Sequence, residues 1–237
     1  MQASLDPLRE LNRAGALLLD QHFVYKSGQH GPGYINMDML YPDAALTLRI
    51  GALLVDPFRG SFDTIAGPAV GGIALAVLAG AAAATTHPAV RAVWADKTGS
   101  DFIFERAGFV DHLARKRVLV VEDLLTTGGS VAKVCRLVEG HGGQVIGVSV
   151  VCNRGGVTAE DIGVRQLAAL SKVSFAAVDP AECELCAAHR PIVEDIGHGA
   201  EYKLQNPAYM GGYVRSNGGA SRPYQRRQRR DWANAER

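Results

Sequence analysis

The sequence predicts an α/β fold: a parallel sheet flanked by helices, with a small N-terminal addition. Two observations lead there. Between residues 62 and 152, short apolar strands alternate with helical patterns, and the segment 118–121 is apolar throughout. Alternation of this kind is typical of parallel sheets buried on both faces. The chain has 237 residues, 47% of them hydrophobic and 21% charged, a composition that excludes a disordered or fibrous protein.

The helices are predicted from apolar spacing and from their boundary residues. Asp6-Pro7 and Pro42-Asp43 are typical helix starts, and a cluster of glycines at 140–143 ends the last helix. Apolar residues recur at helical spacing after each start. The predicted helices are 7–20, 42–54, 73–84 and 129–139.

The strands are predicted from short apolar runs bounded by turn residues. A glycine-rich turn at 26–33 separates the first two strands, and the polar segment 96–113 is predicted to be irregular. The predicted strands are 22–25, 34–40, 62–66, 90–95, 117–121, 144–152 and 173–178.

The charges are nearly balanced, with 25 basic and 24 acidic residues, so extensive nucleic-acid binding is not indicated. From Tyr213 onward the sequence contains seven arginines and only two acidic residues, and this segment lacks apolar periodicity. We interpret it as a disordered basic tail.

Four cysteines do not suggest a disulfide scaffold, and the N-terminus lacks the apolar core of a secretory signal. The uncharged stretch 64–90 fits a strand and a buried helix better than a membrane span, so we expect a cytoplasmic protein.

The most specific motif is the segment 118–130, VLVVEDLLTTGGS. An apolar strand leads into Glu122 and Asp123, and a loop of small residues precedes a helix. Free backbone N–H groups at a helix N-terminus favour a phosphate, and small side chains let the anion approach. Two carboxylates beside such a loop suit sugar hydroxyls and a nearby developing positive charge. The loop residues concerned are Thr126, Thr127, Gly128, Gly129 and Ser130.

This segment resembles the phosphoribosyl pyrophosphate motif of the type I phosphoribosyltransferases. Their fold is a parallel sheet with flanking helices and a small hood. The resemblance implies that Glu122 and Asp123 hold the ribose hydroxyls and that residues 126–130 hold the 5-phosphate. It also implies a single domain over 1–212, followed by the tail at 213–237. Within that domain, the hood is expected from about 1–42 plus C-terminal elements, and the core at about 43–178.

Other segments are similar to orotate phosphoribosyltransferases. The aromatic strand ending in Lys26-Ser27-Gly28 and the segment Tyr34-Ile35-Asn36 resemble their hood strands, which implies that Lys26 lies near the substrates. The segment 66–72, AGPAVGG, resembles the pyrophosphate loop and assigns Ala69 and Gly71 to substrate binding. The resemblance implies that Arg154 contacts the orotate carboxylate, although Asn153 occupies the position where the family usually has Asp.

The segment 95–109 matches the common orotate enzymes less well and is closer to a Thermus-type subgroup. Those common enzymes carry several basic residues on a mobile loop, whereas this chain offers Lys97 and Arg106. The resemblance implies that both approach the leaving pyrophosphate.

Cys183 and Cys186, followed by His189 and His198, are candidate zinc ligands. A lone pair of cysteines at this spacing is also compatible with packing in a turn, and we favour that interpretation. We interpret three other histidines as surface residues because no partner is evident in the sequence: His30, His112 and His141.

The reaction expected from the resemblance is phosphoribosyl transfer from phosphoribosyl pyrophosphate to orotate, with Mg²⁺ and in a homodimer. Lys26, Lys97, Arg106 and Asp123 are the expected catalytic residues. Two alternatives stay open: a purine-specific phosphoribosyltransferase, and a ligand-sensing regulator without turnover.

Overall fold

The computed structural model describes residues 6–216, which divide into two compact units. The sheet unit contains residues 6–8 and 41–174, and the small unit contains residues 9–40 and 175–216. The expected boundaries of hood and core stay predictions of the sequence.

The structure contains short and long elements in mixed order. The strands are β1 (Leu17–Leu18), β2 (Phe23–Val24), β3 (His30–Gly31), β4 (Tyr34–Ile35), β5 (Thr64–Pro68), β6 (Arg91–Thr98), β7 (Asp101–Ile103), β8 (Arg117–Leu125), β9 (Gln144–Asn153), β10 (Leu167–Lys172), β11 (Ile192–Val193) and β12 (Tyr213–Val214). The α-helices are α1 (Pro7–Arg13), α2 (Ala44–Val55), α3 (Gly71–Ala84), α4 (Gly129–Gly140), α5 (Ala159–Ile162), α6 (Glu184–Ala187) and α7 (Gly199–Gln205). Short 3-10 helices lie at Met37–Met39, Asp56–Phe58, Val110–His112 and Pro180–Glu182.

The sheet unit is built on six strands in the order β10-β9-β8-β5-β6-β7. The first five are parallel to their neighbours, and β7 pairs antiparallel with β6 through Asp96↔Ile103. Parallel neighbours need crossover connections, which α3 and α4 provide. The carboxyl ends of β5, β8 and β9 therefore lie along one edge, where open parallel sheets bind ligands.

The core of the sheet unit lies on both faces of the sheet. Val118 and Val120 of β8 join an apolar cluster with Val131 and Val134 of α4. Leu119, between them, is also fully buried, because successive side chains of a strand point to opposite faces. Helix α3 lies against β5, β6 and β8, and α2 packs on α3. This arrangement explains the continuous apolar run that predicts β8.

The small unit has much shorter pairings. Strands β1 and β4, and β2 and β3, form antiparallel pairs, while β11 and β12 form a parallel pair. Single bridges join His22 to Ile192 and His30 to Val178, which tie the two chain segments of the unit together. One of its apolar clusters contains only four buried residues: Leu18, Phe23, Tyr25 and Val193.

Several predicted elements differ from the structure. The first helix ends at Arg13 rather than Asp20, because Gly15 adopts a positive φ of 75° and the chain turns into β1. The segment 96–113 is not wholly irregular, since β6 continues to Thr98 and pairs with β7. The last strand of the sheet is Leu167–Lys172, and the prediction of a strand at 173–178 was wrong.

The C-terminal segment also departs from expectation at its start. The predicted tail begins at Tyr213, but Tyr213–Val214 form β12 against Ile192–Val193. Residues 217–237 lie outside the described residues. None of the helices within residues 6–216 has the length and hydropathy of a membrane-spanning segment.

Candidate functional site

Glu122 and Asp123 belong to the last residues of β8, near the carboxyl edge of the sheet. Glu122 is buried, with 8% of its surface exposed, and its Oε1 accepts a hydrogen bond from the Asp123 N–H at 3.0 Å. Asp123 is half-buried. Because side chains alternate along a strand, the two carboxylates leave the backbone on opposite faces.

Burial sets the electrostatics of this pair. The loss of hydration raises the pKa of Glu122 well above its usual range, and the charge of Asp123 raises it further. The hydrogen bond from the Asp123 N–H opposes that shift without cancelling it. Glu122 therefore holds its proton to higher pH than a solvated carboxyl, and a hydroxyl donor or a cation beside the pair would favour its charged form.

Tyr41 and Gly71 fix the position of the Asp123 side chain. The Tyr41 hydroxyl lies 3.1 Å from Asp123 Oδ2 and 2.8 Å from the Gly71 carbonyl oxygen, so it shares its one proton between two acceptors. A Cβ on Gly71 would overlap the Asp123 carboxylate. Glycine is therefore required where α3 begins, and the start of α3 lies directly against Asp123.

The loop after β8 leads into the N-terminus of α4. Thr126, Thr127, Gly129 and Ser130 are exposed there. Gly128 caps the helix with a left-handed backbone, at φ 75°, which glycine adopts without strain. Since no side chain caps α4, its first N–H groups stay available to an anion.

A second loop connects β5 to α3 at the same edge of the sheet. Ala69 is half-buried, whereas Val70 is 83% exposed, which is unusual for a large apolar residue. The peptide bond between Ala69 and Val70 is cis. A Cβ on Gly67 would overlap the Gly72 carbonyl oxygen, so the loop is compact. The Ala69 N–H donates to the Ala95 carbonyl oxygen at 2.8 Å, which ties the loop to β6.

Arg154 follows β9 beside the end of β8. Its N–H donates to the Leu125 carbonyl oxygen at 2.8 Å, and its side chain is half-buried. The preceding Asn153 is buried, with 4% of its surface exposed, and its side chain forms two hydrogen bonds with the Val157 backbone. Its Nδ2 donates to the Val157 carbonyl oxygen at 2.7 Å, and its Oδ1 accepts from the Val157 N–H at 3.1 Å. A carboxylate could not donate the first of these bonds, which explains the asparagine at this position.

Lys97 and Arg106 belong to the β6–β7 region at the end of the sheet. Lys97 is exposed on β6, in register with Phe102. Arg106 is folded onto its own unit: its Nε lies 3.3 Å from Asp96 Oδ2, and its guanidinium lies 5.2 Å from the centre of the Trp94 ring. A role at a leaving group would require Arg106 to exchange these contacts.

Lys26 lies in the small unit, in the turn between β2 and β3. The turn is closed by Gly28 N–H to the Tyr25 carbonyl at 2.9 Å, with Gly28 at φ 84°. Lys26 itself is exposed. Its role stays a prediction that rests on the resemblance.

Cys183 and Cys186 meet two histidines that the sequence did not associate with them. Their sulfur atoms, His22 Nε2 and His30 Nδ1 all lie within 4.8 Å of one another. His30 is fully buried, so its interpretation as a surface residue was wrong. His189 is exposed and His198 is half-buried beside Glu201, and neither belongs to the group. Burial lowers the pKa of His30 to about 4 and raises that of Cys186 to about 11.

The structure brings much of the predicted site together within the sheet unit. Asp123 lies against Gly71, and the backbone of Arg154 is bonded to the strand that carries both acids. Tyr41 was missed because a single tyrosine before a helix start carries no motif. The roles of all these residues in binding and catalysis stay predictions.

Known proteins resemble this chain over most of its length. Residues 43–170 match the phosphoribosyl transferase domain family. An orotate phosphoribosyltransferase of Thermus thermophilus is 33% identical over 193 residues, which cover 80% of this chain and 100% of that protein. The orotate phosphoribosyltransferase of Caldanaerobacter subterraneus subsp. tengcongensis is 33% identical over 174 residues, or 73% of this chain and 87% of that protein.

The fold has solved counterparts as well. The crystal structure of orotate phosphoribosyltransferase from Aeropyrum pernix matches with a TM-score of 0.52 and 24% identity, over 70% of this chain and 93% of that chain. The predicted parallel sheet with flanking helices is thereby confirmed. With the motif of 118–130 on the same scaffold, the chain belongs to the phosphoribosyltransferase family.

Proposed function

We propose that this protein transfers the phosphoribosyl group of phosphoribosyl pyrophosphate to orotate, releasing pyrophosphate and orotidine 5'-phosphate. The observation that carries the proposal is the acidic pair of β8 followed by the N-terminus of α4, where no side chain forms a capping hydrogen bond. The similarity to the Thermus thermophilus enzyme supports the choice of orotate, since it covers the whole of that protein.

The phosphate end of the substrate is bound by the α4 loop. The N–H groups of Gly129 and Ser130 and the hydroxyls of Thr126 and Thr127 are the donors available to the 5-phosphate. Because the backbone of this loop is already formed, little ordering is needed when the anion binds. The loop at 69–71, where Val70 is exposed, is assigned to the pyrophosphate.

The ribose is held by the acidic pair. Glu122 and Asp123 accept hydrogen bonds from its hydroxyls, and Tyr41 keeps the Asp123 carboxylate in place. The bond from C1 to pyrophosphate breaks as the orotate nitrogen attacks, and positive charge develops on the ribose. Carboxylates fixed nearby before the reaction stabilise that charge without reorganising.

The base and the leaving group are assigned to basic residues. Arg154 pairs with the orotate carboxylate, and Lys26 also contributes to substrate binding. Lys97 and Arg106 stabilise the leaving pyrophosphate, with Arg106 first releasing Asp96. Such a release would take place when the segment closes over the bound substrate and excludes water.

We also infer a requirement for Mg²⁺ and a homodimeric state. Glu122 and Asp123 supply the carboxylate oxygens that Mg²⁺ prefers. When bound with the substrate, Mg²⁺ would offset the charge of pyrophosphate. A cytoplasmic location stays a prediction of the sequence. Light scattering of the purified chain tests the dimer, and titration of activity with Mg²⁺ tests the cation.

The central test is a pyrophosphate-release assay with phosphoribosyl pyrophosphate, Mg²⁺ and separate bases: orotate, uracil, xanthine, hypoxanthine and adenine. We expect turnover with orotate, and a rise in the KM for orotate in Arg154→Ala. Arg165→Ala, which removes an exposed arginine of the same unit, is the matched control. Turnover with a purine alone would refute the choice of orotate. Tight binding without turnover of any base would favour a regulator.

A further inference from the structure

The four side chains His22, His30, Cys183 and Cys186 form a compact group inside the small unit. Their mutual distances are short: His22 Nε2 lies 2.9 Å from His30 Nδ1, 3.6 Å from Cys183 Sγ and 3.7 Å from Cys186 Sγ. Cys186 Sγ lies 3.2 Å from His30 Nδ1. Three of the four residues are buried, and Cys186 is half-buried.

We propose that these four residues bind one structural Zn²⁺ ion. Zinc takes two thiolates and two imidazole nitrogens at the corners of a tetrahedron, with bond lengths of about 2.0–2.3 Å, so its ligand atoms are about 3.3–3.8 Å apart. Four of the six observed separations are 2.9 to 3.7 Å, close to that range, and the remaining two pairs lie within 4.8 Å. Side-chain shifts of about 1 Å or less would bring the four ligand atoms onto the corners of one tetrahedron.

The surroundings of His22 prepare it as a ligand. Its Nδ1 lies 2.9 Å from the Arg190 carbonyl oxygen, which can only accept a hydrogen bond. Nδ1 therefore carries the proton, and Nε2 presents its lone pair to the other three ligand atoms. A backbone carbonyl bonded to the outer nitrogen of a histidine is the usual support of a zinc ligand, because it fixes both tautomer and ring orientation.

The group is closed, which indicates a structural rather than a catalytic ion. Four protein ligands fill the tetrahedron, so no position is left for water or substrate. The rings of Tyr202 and Tyr209 cover the histidines edge-on, at 4.8 Å from His30 and 6.1 Å from His22. Binding would release the two thiol protons to solvent, and the two thiolates would balance the charge of the ion.

The position of the site explains what the ion would stabilise. His22 directly precedes β2 and His30 is the first residue of β3, whereas Cys183 and Cys186 come from a distant segment around α6. The sheets of the small unit are all two-stranded, and their strands are two residues long. Isolated two-stranded pairings are marginal in water, and small units of this kind commonly require a metal or a disulfide.

The first test is the metal content of the full-length protein, purified without added metal and analysed by inductively coupled plasma mass spectrometry. We expect about one zinc per chain. His30→Ala and Cys186→Ser should each lose most of it. His189→Asn and His198→Gln are matched controls that should keep it, and asparagine also tolerates the left-handed backbone of His189, at φ 52°. Zinc retained in His30→Ala but lost in His189→Asn would overturn the proposed ligand set.

A second measurement does not depend on the folding of any variant. X-ray absorption at the zinc edge of the wild-type protein should show two sulfur and two nitrogen neighbours, at about 2.3 and 2.0 Å. A shell of oxygen atoms would overturn the proposal. So would wild-type protein that contains no zinc as purified and takes up none when Zn²⁺ is added.

Discussion

The sheet unit and the small unit bury different kinds of side chain. The sheet unit packs fully buried valines of β8 between helices, over strands of up to ten residues. The small unit joins strands of two residues and holds two histidines and two cysteines together in a mostly buried group. Both units bury apolar side chains, such as Leu119 in the first and Phe23 in the second, but among the described residues only the small unit also buries a group of histidines and cysteines. The comparison teaches that the two parts of the chain differ in strand length and in the polar side chains that they enclose.

The largest difference in stability between the two units should appear when the proposed Zn²⁺ ion is removed. A strong chelator should unfold the small unit while the sheet unit keeps its structure, since zinc binding to small domains contributes about 10 kcal/mol. Hydrogen exchange read by mass spectrometry should show faster exchange at 22–31 and 183–193 and unchanged protection at 117–125. Equal loss of protection in both units would mean that they fold as one.

The next effect concerns chemistry in the sheet unit. Asp123→Asn should lower kcat/KM by about 100-fold, because it removes a fixed negative charge from the developing positive centre. Its effect on stability should be small, since an asparagine oxygen still accepts the Tyr41 hydroxyl. Steady-state kinetics and thermal unfolding measure the two effects. Asp111→Asn, at an exposed position of the same unit, should change neither.

Glu122 should make the stability of the sheet unit dependent on pH. Because its pKa is raised in the folded state, that state holds its proton to higher pH than the unfolded chain. Unfolding free energy should therefore fall as the pH rises above the usual carboxyl range, by about 1 kcal/mol per pH unit until the folded pKa is passed. Glu122→Gln should remove this slope in urea unfolding experiments, and an unchanged slope would contradict the assignment.

A substitution at Asn153, the last residue of β9, tests whether an amide side chain is required at this buried position. Asn153→Asp should destabilise the protein by about 1–3 kcal/mol at neutral pH, because a carboxylate would face the Val157 carbonyl without a proton. The difference from wild type should shrink at acidic pH, where a protonated aspartic acid can donate. Urea unfolding at two pH values measures both. A loss that does not depend on pH would point to packing instead.

The smallest effect should come from the exposed ion pair at the opposite end of β8. The hydrogen bonds from Arg117 lower the pKa of Asp63 to about 2. The pair therefore stabilises the fold above the usual aspartate pKa and loses its effect as the pH falls through about 2. Asp63→Asn should lower Tm by about 1–2 °C at neutral pH and leave it unchanged at very low pH.

The sequence predicted more of the sheet unit than of the small unit. Val118 to Val121, Glu122 and Asp123 form a contiguous signal, so strand, acids and loop were located from the sequence alone. His22 and His30 could not be connected with Cys183, because their convergence depends on folding over more than 150 residues. Residue Gly15 ended α1 early for a related reason, since the apolar residues beyond it bury in β1 rather than on a helix.

Because the two histidines and the two cysteines of the proposed zinc site are far apart in the sequence, they leave the ribosome at different times. His22 and His30 emerge early, and every strand of the large sheet is translated before Cys183 appears. A nascent chain therefore has the complete β5–β10 sheet available for folding while half of the ligand set is still missing. During translation the sheet can form first, and the segment that carries the histidines must wait for the segment that carries the cysteines.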